Sequence, residues 1–174
     1  IEICIEHASL MIEVATAMRN SLLQIQRSGE AEYVTRAAKR AKDWESRADQ
    51  LVARMRMLSR RVDEAESFFT LIHTADDALD ELEEACFFAT LLLLVKPQTT
   101  VMRQLTDMAE ISVRACQEYL KVLIAAQGIR KEYSRDEMQD FLTTVNRVLS
   151  LEHECDNALR LAEKAIITDS TDFR

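Results

Sequence analysis

Three segments of the chain carry pairs of carboxylates four residues apart, a spacing that puts both side chains on one face of an α-helix. Clustered carboxylate oxygens suit hard or borderline cations such as Mg²⁺, Mn²⁺, Ca²⁺ or iron. If the helices that carry these pairs are neighbours, the acids predict a metal site. The candidate metal ligands are Glu45, Asp49, Asp76, Asp80, Glu83, Glu152 and Asp156.

The third pair differs from the first two in its predicted surroundings. Glu152 and Asp156 fall inside the apolar face of their helix, whereas the other acids lie beside the apolar stripes of theirs. A buried carboxylate without a partner loses several kcal/mol of solvation. We therefore expect a cation, a metal ion or a proton beside this pair.

The uneven charge of two neighbouring segments offers a competing interpretation. Residues 30–61 hold nine Lys and Arg against five Asp and Glu, whereas residues 62–97 hold nine acids against one Lys. A basic helix is thus expected to pack beside an acidic one. Bases such as Arg47 and Arg54 could then neutralise the acids with no metal involved.

The elements that must position these acids are helices. The chain has only two Gly and one Pro, so it lacks the turn residues that a sheet fold needs. Short turns between long helices predict an all-α, antiparallel bundle. The last helix opens with a capping box, Ser134 to Glu137. Apolar periodicity predicts five helices, at about 1–27, 30–61, 64–95, 101–127 and 134–167.

Composition excludes several classes of protein. A net charge of −8 argues against a nucleic-acid binder. Four widely spaced cysteines without a C-x-x-C pair predict free thiols in a reducing cytoplasm. The longest apolar run, 85–95, is too short to span a bilayer. No signal peptide is visible, and because the first residue is not Met, we expect that a few N-terminal residues are missing.

The motifs resemble those of PhoU. An E-x-x-x-D motif (Glu45, Asp49) lies in the second predicted helix, and D-x-x-x-D-x-x-E (Asp76, Asp80, Glu83) follows in the third. The stretch 75–83, ADDALDELE, is similar to the PhoU-related accessory proteins of Pit-type phosphate transporters. The resemblance implies tandem three-helix units, here 1–97 and 98–174, with multinuclear iron or zinc clusters on a carboxylate surface.

The resemblance also implies a function. The chain would be a non-enzymatic regulator of phosphate transport, cytoplasmic or peripheral to the inner membrane, with a phosphate transporter or its sensor protein as partner. The acids of the second and third helices would form one metal site, and Glu152 and Asp156 half of another. The family pattern includes a sixth helix, which the sequence does not reach by Arg174. That helix is expected to be cut away or disordered, or else the second site is incomplete.

Other interpretations remain open. The stronger one is a metal-free helical interaction module. The apolar end of the third helix, which includes Phe87 and Phe88, predicts either a central helix or a homo-oligomer contact. An all-α, Mg-dependent nucleotide pyrophosphatase is weaker: Glu81 and Glu84 supply its first motif, but the second does not follow. A ferritin-like di-iron protein is excluded, because no histidine lies three residues after a Glu; His73 could still add a ligand.

Overall fold

The structure, a computed structural model, describes residues 1–95, 97, 99–129 and 134–171. Its secondary structure over these residues is helical throughout, which confirms the predicted all-α class. Each of the five predicted helices is present, and a short 3₁₀ turn, Asp63–Ala65, precedes the third. The helices are α1 (Glu2–Arg27), α2 (Ala31–Ser59), α3 (Glu66–Val95), α4 (Thr99–Gly128) and α5 (Arg135–Thr171).

Local chemistry explains where two of these helices begin or end. Gly29 follows α1 with a φ of 64°, and its N–H and that of Ser28 both donate to the Gln24 carbonyl at 3.0 Å. The left-handed backbone there favours Gly. At the start of α5, the Glu137 N–H donates to Ser134 Oγ and the Ser134 N–H donates to a Glu137 carboxylate oxygen, at 3.1 and 2.7 Å. The predicted capping box is thereby confirmed.

The five helices form a bundle in which α1 is central. Helix α1 packs against α2, α3 and α4, α2 also packs against α3, and α5 contacts α4 alone among the described elements. The Cys86 thiol of α3 donates to the carbonyl of Val14 of α1, and Cys4 lies against the carbonyl of Phe68. Because residue numbers rise together along this pair, α1 and α3 run parallel, whereas helices consecutive along the chain run antiparallel.

Burial follows from this arrangement. Helix α1 has buried residues on faces directed at three neighbours, and small side chains such as Ala8 and Ala15 let those neighbours approach closely. The prediction that α3 could be the central helix is wrong. The end of α3 is on the surface, with Phe87 at 52%, Phe88 at 51% and Leu94 at 79% exposure. Apolar composition all round does not by itself reveal which helix other helices surround.

None of the described helices combines the length and the apolar character that crossing a bilayer requires.

Candidate metal centre

Four of the predicted ligands come together where α2 packs against α3. Glu45 and Asp49 lie one turn apart on α2, and Asp76 and Asp80 lie one turn apart on α3. Burial raises the pKa of the Asp49 carboxyl, and the charges of Glu45 and Asp76 raise it further. Burial likewise raises the pKa of Asp80, with added contributions from Asp76, Glu45 and Asp49. These four acids, hereafter the α2/α3 acid cluster, therefore repel one another across the two helices.

A lysine of α2 partly neutralises this repulsion. Lys42 Nζ lies 3.0 Å from a Glu45 carboxylate oxygen. The hydrogen bond to Glu45 raises the pKa of Lys42 against the opposing effect of desolvation, and the charges of Glu45, Glu83 and Asp80 raise it further. Glu83 thus lies close enough to act on the same ammonium group, at the edge of the cluster. One positive charge among several acids leaves the cluster negative.

A histidine of α1 holds one acid of the cluster in place. His7 Nε2 lies 2.9 Å from Asp76 Oδ1; the ring of His7 is fully buried and Asp76 is only 8% exposed. A carboxylate oxygen accepts hydrogen bonds, so we assign the donated hydrogen to Nε2 of His7. His7 Nδ1 has no hydrogen-bond partner within the described part of the chain. Nothing in the local sequence pointed to this pair, because its members are separated by 69 residues.

The donor chemistry of the cluster suits a hard or borderline cation, but its side chains do not converge on one point. Across the described residues, no three His, Cys, Asp or Glu side chains are placed so that they could hold a metal ion together. Lys42 already engages Glu45, and His7 already engages Asp76. Asp49 and Asp80 are exposed, so their side chains are free to rotate. Rotation of both side chains towards a common point, and withdrawal of Lys42, would be needed before an ion could bind.

The α5 acids lie elsewhere, and the prediction that they are buried is wrong. Glu152 and Asp156 are both exposed, and a Glu152 oxygen lies 2.9 Å from His153 Nδ1. In the described part of the chain α5 packs on α4 alone, so its buried strip is narrow, and the described residues in it are Leu151, Ala158 and Ala162. The wider apolar face that the sequence shows is largely on the surface. The structure does not bring these acids to the α2/α3 acid cluster.

Arg54, one of the predicted neutralising bases, and His73, the predicted extra ligand, have other contacts. A guanidinium nitrogen of Arg54 lies 4.0 Å from a carboxylate oxygen of Glu6, which belongs to α1 and not to α3. His73 lies on the surface 3.9 Å from Asp77 of its own helix. The histidine that does contact the cluster is His7, which the sequence did not single out.

Comparison of the chain with protein-family models, with curated proteins and with solved structures finds no match. The chemistry of the site therefore rests on the geometry of its own residues. That geometry is a cluster of four carboxylates on two adjacent helices, with one lysine beside it and one histidine beneath it.

Proposed function

We propose that the chain is a non-enzymatic regulator or accessory protein of phosphate transport that binds metal ions through the α2/α3 acid cluster. The observation that carries the proposal is the proximity of Glu45, Asp49, Asp76 and Asp80 on two adjacent helices. Mutual repulsion among these acids favours any bound cation. The motifs resemble those of PhoU, and this resemblance supports iron or zinc as the metal and a phosphate transporter or its sensor protein as the partner.

Within the proposed site the acids have different tasks. Asp76, held by His7, is a fixed carboxylate at the base of the cluster. Asp49 and Asp80 are exposed and can turn towards an ion. Glu45 and Glu83 lie near the ammonium group of Lys42, whose positive charge a bound ion would replace. A metal ion there would supply charge neutralisation and would tie α2 to α3. The α5 acids are at most part of a separate site.

Metal content tests the site directly. The chain is purified without chelator, incubated with iron(II) or zinc, desalted and measured by elemental mass spectrometry. We expect bound metal in the wild type and its loss in Glu45→Ala with Asp49→Ala. The matched control is Glu152→Ala with Asp156→Ala, which removes the same motif from α5. Metal retained by the first double variant, or absent from the wild type, contradicts the proposed site.

The regulatory part of the proposal needs a separate measurement. Cells of the producing organism that lack the chain should take up radiolabelled phosphate at an altered rate after a shift between low and high phosphate. The gene for the wild-type chain should restore the rate. Unchanged uptake in the deletion strain would remove phosphate transport from the proposal while leaving the metal site untouched.

A second candidate function is a metal-free interaction module with an acidic face. It is favoured by the contact of Lys42 with Glu45 and by the lack of a three-ligand group in the described residues. A ligand that binds only the folded chain raises its unfolding temperature. Zinc or iron should therefore raise the unfolding temperature of the wild type if the cluster binds metal, and should leave it unchanged if the face binds only a basic protein.

We also propose that the chain forms a homo-oligomer through the apolar end of α3. Phe87, Phe88, Leu91 and Leu94 are all exposed there, which is unusual for large apolar side chains so close together. Light scattering should give a smaller mass for Phe87→Ser with Phe88→Ser than for the wild type. Met57→Ser, at an exposed methionine of α2, serves as the control. A monomeric wild type contradicts this contact.

A further inference from the structure

A second surface, on the opposite side of α3 from the acid cluster, forms an open groove of about 650 Å³. Its walls are α3 and α5, between which the described residues make no contact, and its floor is formed by α1 and α4. Most of the side chains that line it are apolar or small. They include Leu71 and Leu82 on α3, Val148 and Leu159 on α5, and Met11 and Met108 on the floor.

The groove has the length of a short helix. Its α3 wall runs from Leu71 to Ala85, which is about 21 Å at the helical rise of about 1.5 Å per residue. Its α5 wall runs from Val148 to Leu159, which is about 17 Å. An α-helix of about 14 residues spans the longer wall. Among the described elements, the α3 wall is linked to the α5 wall only through α1 and α4, which form the floor. The groove is therefore open along its length to an elongated occupant and does not enclose a compact small molecule.

Charge restricts the chemistry of that occupant. Among the described residues that line the groove, the charged ones are Glu81 on the α3 wall and Asp156 on the α5 wall, and both are exposed. No Lys or Arg is among them. Helix α3 itself carries seven acids and no Lys or Arg. An anionic membrane surface or a fatty acid would be repelled by these walls, whereas a cationic partner would be attracted to them.

We propose that this groove binds a cationic amphipathic helix of a partner protein. The apolar face of that helix, with anchors at i, i+3, i+4 and i+7, would lie on Leu71, Leu82 and Leu159. Lys or Arg residues beside that face would pair with Glu81 and Asp156 at the two rims. The methionines of the floor adapt to anchors of different shape. The proposal is independent of metal at the α2/α3 acid cluster, which lies on the other side of α3.

A synthetic peptide tests the proposal. The probe is a fluorescein-labelled 18-residue helix of Leu and Ala on one face and Lys on the other, and the full chain is titrated into it while anisotropy is measured. We expect saturable binding with one peptide per chain. A peptide of the same pattern with Glu in place of Lys should not bind. No saturable binding of the Lys peptide overturns the proposal.

Variants show whether binding occurs in the groove. Ala78→Arg places a positive charge on an exposed part of the α3 wall, and we expect at least about tenfold weaker binding because like charges then face each other. Ala53→Arg, an identical change at an exposed site of α2, is the matched control and should bind as the wild type does. Equal weakening of peptide binding in the two variants would mean that the net charge of the chain, and not the groove, determines the affinity, and it overturns the proposal.

Two further measurements complete the test. Glu81→Gln with Asp156→Asn should weaken binding several-fold and reduce its dependence on salt, whereas Asp43→Asn with Glu64→Gln, at exposed acids of α2 and the 3₁₀ turn, should not. Light scattering of the wild type and of Ala78→Arg reports whether a second copy fills the groove. A wild-type dimer that Ala78→Arg converts to a monomer overturns the partner proposal.

Discussion

The chain contains the same E-x-x-x-D spacing on α2 and on α5, yet the two copies lie in different surroundings. On α2, Glu45 and Asp49 face the acidic helix α3, and burial and neighbouring charges raise the pKa of Asp49. On α5, Glu152 and Asp156 lie on the surface of a helix whose contacts, within the described part of the chain, are with α4. A motif on one helix therefore predicts a site only when a second helix brings matching chemistry to it.

The difference extends to stability. Apolar side chains of α3 such as Ile72 and Leu79 are fully buried, whereas many apolar side chains of α5 are about half exposed. Among the described elements, only α4 packs against α5. The contribution of a buried apolar side chain grows with the contacts it makes. Three pairs of matched substitutions, one member in each region, test the comparison.

The largest expected difference is between two leucines. Leu79→Ala removes a fully buried side chain of α3 and should lower the free energy of unfolding by about 2–5 kcal/mol. Leu149→Ala, at a half-exposed position of α5, should lower it by less than about 1 kcal/mol. Urea unfolding followed by circular dichroism measures both. Similar losses would mean that α5 is covered as fully as α3.

A smaller difference is expected between two aspartates. Asp76→Ala leaves the buried Nε2–H of His7 without an acceptor and should cost about 1–3 kcal/mol of unfolding free energy. Asp156→Ala removes an exposed acid and should change it by about 0.5 kcal/mol or less. Asp76→Asn, whose amide oxygen still accepts, should recover much of the loss. If it recovers none, the charge of Asp76 matters more than its hydrogen bond.

The smallest expected effect concerns pH. The pKa of Asp49 and that of Asp80 are raised above the ordinary value of 3.8, so the folded chain binds protons there more tightly than the unfolded chain does. Burial of the charged carboxylates, together with repulsion by neighbouring acids, then destabilises the fold at neutral pH, and this destabilisation fades as the pH falls towards the raised pKa. Asp49→Asn with Asp80→Asn should stabilise by about 0.5 kcal/mol or less at neutral pH, since solvent screens both acids.

Unfolding by urea in the presence of a chelator, from neutral pH down to about pH 4, checks this expectation. The advantage of the Asp49 and Asp80 double variant over the wild type should shrink as the pH falls. Glu152→Gln with Asp156→Asn is the control, and it should show no comparable gain. A double variant at the cluster that is less stable than the wild type at neutral pH would mean that the folded chain does not disfavour the charged forms of Asp49 and Asp80.

Local patterns in the sequence predicted the positions of the helices well, but they predicted poorly which residues of different helices contact one another. Scarcity of Gly and Pro, the break at Gly29 and the capping box at Ser134 act over a few residues, so they could be read directly. The pairing of α2 with α3 followed from their opposite charge and their short connection. The contact of His7 with Asp76 could not be foreseen, because it depends on how α1 and α3 lie side by side.

The wrong prediction that Glu152 and Asp156 are buried has the same physical origin. Angular position relative to an apolar stripe places Glu152 towards the core only if the whole stripe is covered. Among the described residues of α5, Leu151, Ala158 and Ala162 are buried against α4, and the other apolar residues are partly or largely exposed. The sequence of one helix does not state how many other helices surround it.

The central place of α1 has a consequence for how the chain is made. A ribosome releases α1 before α2, α3 and α4, yet α1 contacts all three. At synthesis rates of about 5–20 residues per second, the nascent chain keeps the apolar faces of α1 uncovered for several seconds while those partners emerge. Partial coverage by α2 and α3 comes first, and α4 completes it. A chaperone that binds exposed apolar helices would therefore find its best substrate in an arrested chain that stops before α4.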